Sequence, residues 1–170
     1  PDASSADAAE ATSPNAGART LQLGGSANGI LSGGIADNAS NAANIVSVTK
    51  NGSGTWATRG TNTHSGLTTA SAGTLALAGS LAGPLTATSG TLAPLGSPSV
   101  GGNFAINSGG KFRTRINGSS PGTQSYELTT AAWSSHAGTP DLDSHPGLTP
   151  GSTFTQIGRA SCRERVFRAV

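Results

Sequence analysis

The chain has 170 residues, of which only 11% are charged and 25 are glycine, and its formal net charge is +2. The positive sign comes from the last segment: Arg159, Arg163, Arg165 and Arg168 lie after residue 156, whereas residues 1–156 hold six basic and seven acidic groups. A nearly neutral body offers no basic patch for nucleic acid, a single Cys162 excludes a disulfide framework, and no apolar run reaches the eighteen residues of a membrane-spanning helix.

Residues 1–18 open with "PDASSADAAEATSPNAG", which contains no large apolar side chain. Such composition predicts a low-complexity linker or a frayed rung. From Arg19 onward a different rule holds. Short apolar runs alternate with small polar residues and are punctuated by glycine: "TLQLGG", "NIVSVTK", "GTLALAG", "GNFAINSGG" and "KFRTRING". Large residues recur at every second position, as in Leu21 and Leu23, Val46 and Val48, Leu75 and Leu77, Phe104 and Ile106. That period of two is the signature of a strand. Asn28-Gly29, Asn51-Gly52 and Asn117-Gly118 mark turns between the runs.

An internal repeat lies in the middle of this region. "SGLTTASAGTLALAG" (65–79) and "AGPLTATSGTLAPLG" (82–96) agree at eight of fifteen positions at an offset of seventeen. A unit this short cannot enclose a core, so the copies must stack, each rung burying its inward residues on the next. The repeat predicts an all-β parallel β-helix, or β-solenoid, over 19–125, with irregular ends. An antiparallel sandwich is the rival, and a near-identical repeated rung argues against it.

The stretch "VTKNGSGTWATRGTNTHSGLTTASAGTLALAG" (48–79) resembles an autotransporter-associated β-strand repeat. Lys50, Gly52, Gly54, Thr55, Trp56, Gly60, Asn62, Thr63, Gly66, Thr69, Gly73, Thr74, Leu75 and Leu77 fall in step with the family pattern. Thr58 stands where the family favours Leu, His64 stands in an aromatic slot, and Ala70 stands where a β-branched residue is common. "GTLAPLGSPSVGGNFAINSGGKFRTRING" (90–118) is similar to the stretch that follows such repeats. "GTQSYELTTA" and "LTPGSTFTQI" resemble later family segments, whereas "AAWSSHAGTPDLDSH" between them does not match. The resemblance implies a right-handed parallel β-helix in a secreted or surface-displayed bacterial passenger, exported through an outer-membrane β-barrel translocator that this stretch does not include. It further implies that Leu75, Leu77, Leu92, Phe104 and Ile106 are core and that Gly73, Gly90 and Gly109 turn corners. The implied role is a structural stalk, adhesive where a surface or glycan ligand exists, with no catalysis and no cofactor. Two alternatives remain at this point: a fragment of a β-helical carbohydrate-active enzyme, and a β-solenoid surface protein anchored by a C-terminal sorting signal.

Residues 126–156 carry the constellation that most resembles a site, Asp141-x-Asp143-x-His145. On an extended strand residues two apart share a face, so two carboxylates and an imidazole could converge on a cation. The set lacks a fourth ligand, and Pro140, Pro146 and Gly147 around it fit an exposed turn, so a solvated turn is the preferred reading and no metal is assigned. Lys111, Arg113 and Arg115 alternate on one strand face. They could form a basic stripe for anionic glycans, against the commoner solvated face. His64 and His136 have no partner at ligand spacing, no serine lies in a G-x-S-x-G elbow, and Trp56 and Trp133 are the aromatic candidates for sugar stacking, with a core position preferred for Trp56. The N-x-[ST] triplets at Asn38, Asn51 and Asn117 are read as chance matches in a bacterial chain rich in Asn and Ser.

The closing segment, residues 157–170, breaks every rule of the body. "IGRASCRERV" is similar, at all ten residues from Ile157 to Val166, to one reading frame of a short-read sequencing adapter. The resemblance implies a non-native tail, with Cys162 and its arginines outside the fold, on a chain that is a piece of a longer protein.

Overall fold

The computed structural model describes residues 17–38, 43–116, 129–144, 153–156 and 165–168. In chain order the strands are β1 (Arg19–Leu23), β2 (Gly29–Leu31), β3 (Val46–Lys50), β4 (Thr55–Thr58), β5 (Thr61–Asn62), β6 (Thr68–Ala70), β7 (Thr74–Leu77) and β8 (Ser80–Leu81). They continue with β9 (Leu85–Ala87), β10 (Thr91–Pro94), β11 (Ser99–Ile106), β12 (Lys111–Ile116), β13 (Thr129–His136), β14 (Thr139–Ser144), β15 (Thr153–Gln156) and β16 (Arg165–Arg168). The described residues contain no helix, and none is therefore long and apolar enough to cross a membrane.

The architecture is a parallel β-solenoid. Its first face stacks β1, β3, β6, β9 and the C-terminal half of β11, with β13 beyond. Its second face is the six-stranded ladder β14-β12-β10-β7-β4-β2. A short third face stacks β5 and β8 with Val100 of β11. All of these pairs are parallel, which removes the sandwich alternative. Among the described residues the antiparallel pairing is β15 with β16, a separate two-stranded sheet.

The seventeen-residue repeat is one turn of the coil. Thr74, Leu75 and Ala76 lie in register with Thr91, Leu92 and Ala93, and the same column begins one rung earlier at Thr55, Trp56 and Ala57. Strand alternation sends every second residue inward. One interior column therefore runs Trp56–Leu75–Leu92–Phe112, and a second runs Leu21–Val48–Thr68–Leu85–Phe104. Leu75, Leu77, Leu92, Phe104 and Ile106 are all at most 2% exposed, as the resemblance implies. Each such side chain contributes roughly 1.5–3 kcal/mol of burial, so stacking carries the fold. Phe104 and Phe112 join the two columns edge to face, with ring centroids 5.9 Å apart.

Trp56 also belongs to the core, at 9% exposure. Its ring occupies the space above Gly29, where an added Cβ would come within 2.8 Å of ring carbons, and Nε1 donates to the Gly24 carbonyl at 2.9 Å. Gly73 adopts φ +60° at the turn into β7, and a side chain there would collide with the Gly52 and Gly54 carbonyl oxygens. Gly90 and Gly109 sit at the equivalent turns without positive φ; close approach of the neighbouring rung explains them.

Length is distributed unevenly around the coil. From first face to second the chain takes only two to five residues at every rung. From second face back to first it takes seven residues between β7 and β9, nine between β4 and β6, and fourteen between β2 and β3. The coil also extends beyond 125: β13 pairs with β11, and β14 with β12, so Trp133 falls in register with Phe104 and Pro140 with Phe112. A twelve-residue excursion after β12 hides this rung from a search for a constant period.

Candidate functional site

Two sets of polar groups bear on function: those along β12 and β14, and those in the interior of the middle rungs. Along these strands Lys111, Arg113 and Arg115 lie in register with Thr139, Asp141 and Asp143. Arg113 donates through Nε to Asp141 Oδ2 at 2.8 Å, and its Nη2 is also 2.8 Å from that oxygen. The side chains are 43% and 34% exposed, so the pair is worth at most about 1 kcal/mol. Its consequence is electrostatic: Arg113, the middle residue of the basic run read from β12, meets a carboxylate on the next rung. Register across 28 residues makes that pairing, which local sequence cannot reveal.

Asp141 thus spends one carboxylate oxygen on a guanidinium, and Asp143 follows two positions along β14. His145 lies outside the described residues. Among the described residues no three His, Cys, Asp or Glu side chains gather as a metal set. Trp133 and His136 lie on β13. Asn117, Cys162 and Arg163 fall outside the described residues, as do residues 1–16 and most of 157–170.

The buried polar side chains at inward positions include Lys50, Asn62 and His64. Lys50 occupies the column Leu23–Lys50–Ala70–Ala87–Ile106 and is fully buried. Its Nζ donates to the carbonyl oxygens of Gly52 and of Ala72, the latter at 3.2 Å, bridging two rungs. Burial holds this ammonium below the ordinary lysine pKa. Asn62, 2% exposed, bridges rungs in the same way on the third face. Its Oδ1 accepts the Ile35 amide at 3.1 Å, and its Nδ2 donates to the Ser80 carbonyl at 3.0 Å.

His64 is the third. It is 1% exposed, a rung position instead of a surface one. Nε2 lies 2.8 Å from Thr68 Oγ1, while Nδ1 has no hydrogen-bond partner among the described residues. The ring borders a cavity of about 10 Å³ lined by Ile35, Val48, Thr58, Asn62, Leu75 and Leu77, among others. That is about the smallest space that admits one water, so no organic ligand fits there. Burial pushes the imidazole below its ordinary 6.5, against the opposing pull of an Ile35 backbone hydrogen bond and the Asp37 charge.

Asp37 stands beside this cluster and ties three segments together. Oδ1 accepts the Val46 amide at 2.7 Å and Oδ2 accepts the Ser65 amide at 2.8 Å. Burial pulls its pKa upward, but the Ser65 hydroxyl, those two amides and the neighbouring His64 outweigh that and hold the carboxyl below 3.8. Sequence reading missed Asp37 and Lys50. The parity of "VSVTK" was the available signal for Lys50, because it places residue 50 on the same side as Val46 and Val48.

The arrangement places its imidazole–hydroxyl contact, His64 with Thr68, in the interior. Its rung-bridging polar groups include Lys50, Asn62 and Arg113. Compared with protein-family models, curated proteins and solved structures, the chain finds no match.

Proposed function

We propose that the chain is a length of non-catalytic structural stalk from the surface-displayed passenger of a Gram-negative autotransporter, carried outward by a β-barrel translocator. The observation that carries the reading is the in-register stacking of the Gly-Thr-[Trp/Leu]-Ala element at 54–57, 73–76 and 90–93 as successive rungs. Supporting it, residues 65–96 contain no ionisable side chain, and the interior polar groups bridge rungs. A stalk of this kind folds by adding one rung to the last, which suits a chain that emerges progressively from a pore. The body has no cysteine before Cys162, so its stability does not depend on oxidation. Adhesion to a surface or glycan is the role such a stalk would serve.

The test is to amplify the gene from source DNA, priming within codons 90–118, and sequence past codon 157. Strands of a β-barrel downstream, with the "IGRASCRERV" codons gone, support the proposal and mark the basic tail as extraneous. An apolar sorting helix with a basic tail retains the stalk and replaces its anchor. A downstream continuation that supplies a carboxylate and Lys/Arg cluster on adjoining rungs, with polysaccharide cleavage by the full chain, overturns it.

A further inference from the structure

The imidazole of His64 sits in the interior with one nitrogen unpartnered, and nothing in a static stalk requires an ionisable group there. We propose that His64 is an acid-sensitive latch, whose protonation loosens the corner joining residues 35–37 to β3, β5 and β6. The geometry supplies the reason. Neutral imidazole needs one partner, which Thr68 Oγ1 provides at 2.8 Å. Imidazolium carries two N–H donors, and Nδ1 makes no hydrogen bond among the described residues. A buried charged donor without an acceptor is costly, whereas the unpartnered nitrogen of the neutral ring is tolerated.

The surroundings compensate only in part: the Ile35 backbone and the Asp37 charge favour imidazolium, and burial outweighs both. From the segment before β3 comes Asp37, whose two oxygens already accept the Val46 and Ser65 amides and make no hydrogen bond to the ring. Its negative charge favours imidazolium, and burial outweighs it. From β3 comes Lys50, whose like charge is turned to the carbonyls of Gly52 and Ala72. Beyond the end of β4 lies Arg59, which is exposed. The strands β5, β6, β7, β8 and β9 bring no charged or titratable residue.

The direction follows from linkage. The folded-state value lies below the ordinary 6.5 of the unfolded chain, so the unfolded state binds the proton more readily. Stability is complete above 6.5 and falls as the pH drops below it. Asp37 acts in the same direction only below its ordinary 3.8, so the interval near pH 5 isolates His64.

Urea unfolding followed by far-ultraviolet circular dichroism tests this on the full chain and on His64→Gln, near pH 7.5 and near pH 5. The unmodified chain is expected to show an unfolding constant up to about 30-fold larger near pH 5, the limit set by an unfolded imidazole of pKa about 6.5. His64→Gln is expected to change by less than about 3-fold, the imidazole's contribution being absent. Equal acid sensitivity in both overturns the latch. Should His64→Gln fail to fold, an NMR titration of the H136Q/H145Q double variant reads His64 as the sole imidazole. A ring that stays neutral well below pH 6.5 and then protonates together with loss of dispersed signals supports the proposal. Protonation at or above 6.5 with the fold intact overturns it.

Discussion

Replacing Asn62 with alanine removes a side chain that holds two rungs at once, and the cost can be worked from its two bonds. The Ile35 amide it serves is buried, and an unsatisfied buried donor costs about 1–3 kcal/mol. The Ser80 carbonyl is only partly buried and regains water, so its loss is nearer the net value of an ordinary hydrogen bond, about 0.5–1.5 kcal/mol. Together these predict that Asn62→Ala destabilises by about 2–4 kcal/mol. Asn51 supplies the control: its amide donates to Gln22 Oε1 at 3.0 Å on the exposed face, so Asn51→Ala should cost less than about 0.5 kcal/mol. Equilibrium urea unfolding near pH 7.5 measures both, with dichroism and tryptophan fluorescence compared because rung arrays can lose two-state behaviour. If Asn62→Ala falls within about 0.5 kcal/mol of Asn51→Ala, the amide does not bridge the rungs and this account of the third face is wrong.

Leu92→Ala should cost about 3–5 kcal/mol, because Leu75 below and Phe112 above are fixed by their own ladders and cannot close the gap, whereas Leu67→Ala, at 41% exposure, should cost under about 1 kcal/mol; thermal or urea unfolding separates them. Gly73→Ala should destabilise strongly, since φ is +60° and two carbonyl oxygens occupy the space, while Gly33→Ala should be nearly neutral because nothing lies within 4 Å; far-ultraviolet melts compare the two. Lys50 makes an alkaline prediction. Its folded-state pKa lies below 10.5, so the unfolded chain holds the proton more tightly and stability should rise from neutral pH toward about pH 10; Lys50→Met, which also deprives Gly52 and Ala72 of a donor, should abolish that rise in urea midpoints.

The solenoid was legible because its repeat and its geometry coincide. An offset of seventeen aligned Leu75 with Leu92, and those residues stack. The interior polar groups were harder to read, because residue type and strand parity disagree. Lysine and asparagine are usually exposed and histidine is intermediate, yet positions 50, 62 and 64 face inward, where carbonyls and amides of adjoining rungs partner Lys50 and Asn62 and the Thr68 hydroxyl partners His64. Thr58 and His64 both line the small interior cavity, which neither side chain fills. The Arg113–Asp141 pair was invisible for another reason. It depends on the register between β12 and β14 after a long excursion, and no local period reports that.

The uneven corners set how such a chain can change. Every turn from first to second face is held to two to five residues, so an insertion there would shift one ladder against the other and turn inward residues outward. The return side already accommodates spans from seven to fourteen residues while Val48, Thr68 and Leu85 keep one column. Peptide tags or whole ligand-binding loops grafted between β2 and β3 should therefore leave the ladder intact. The molecule has one flank closed to novelty and one on which variation accumulates at little cost.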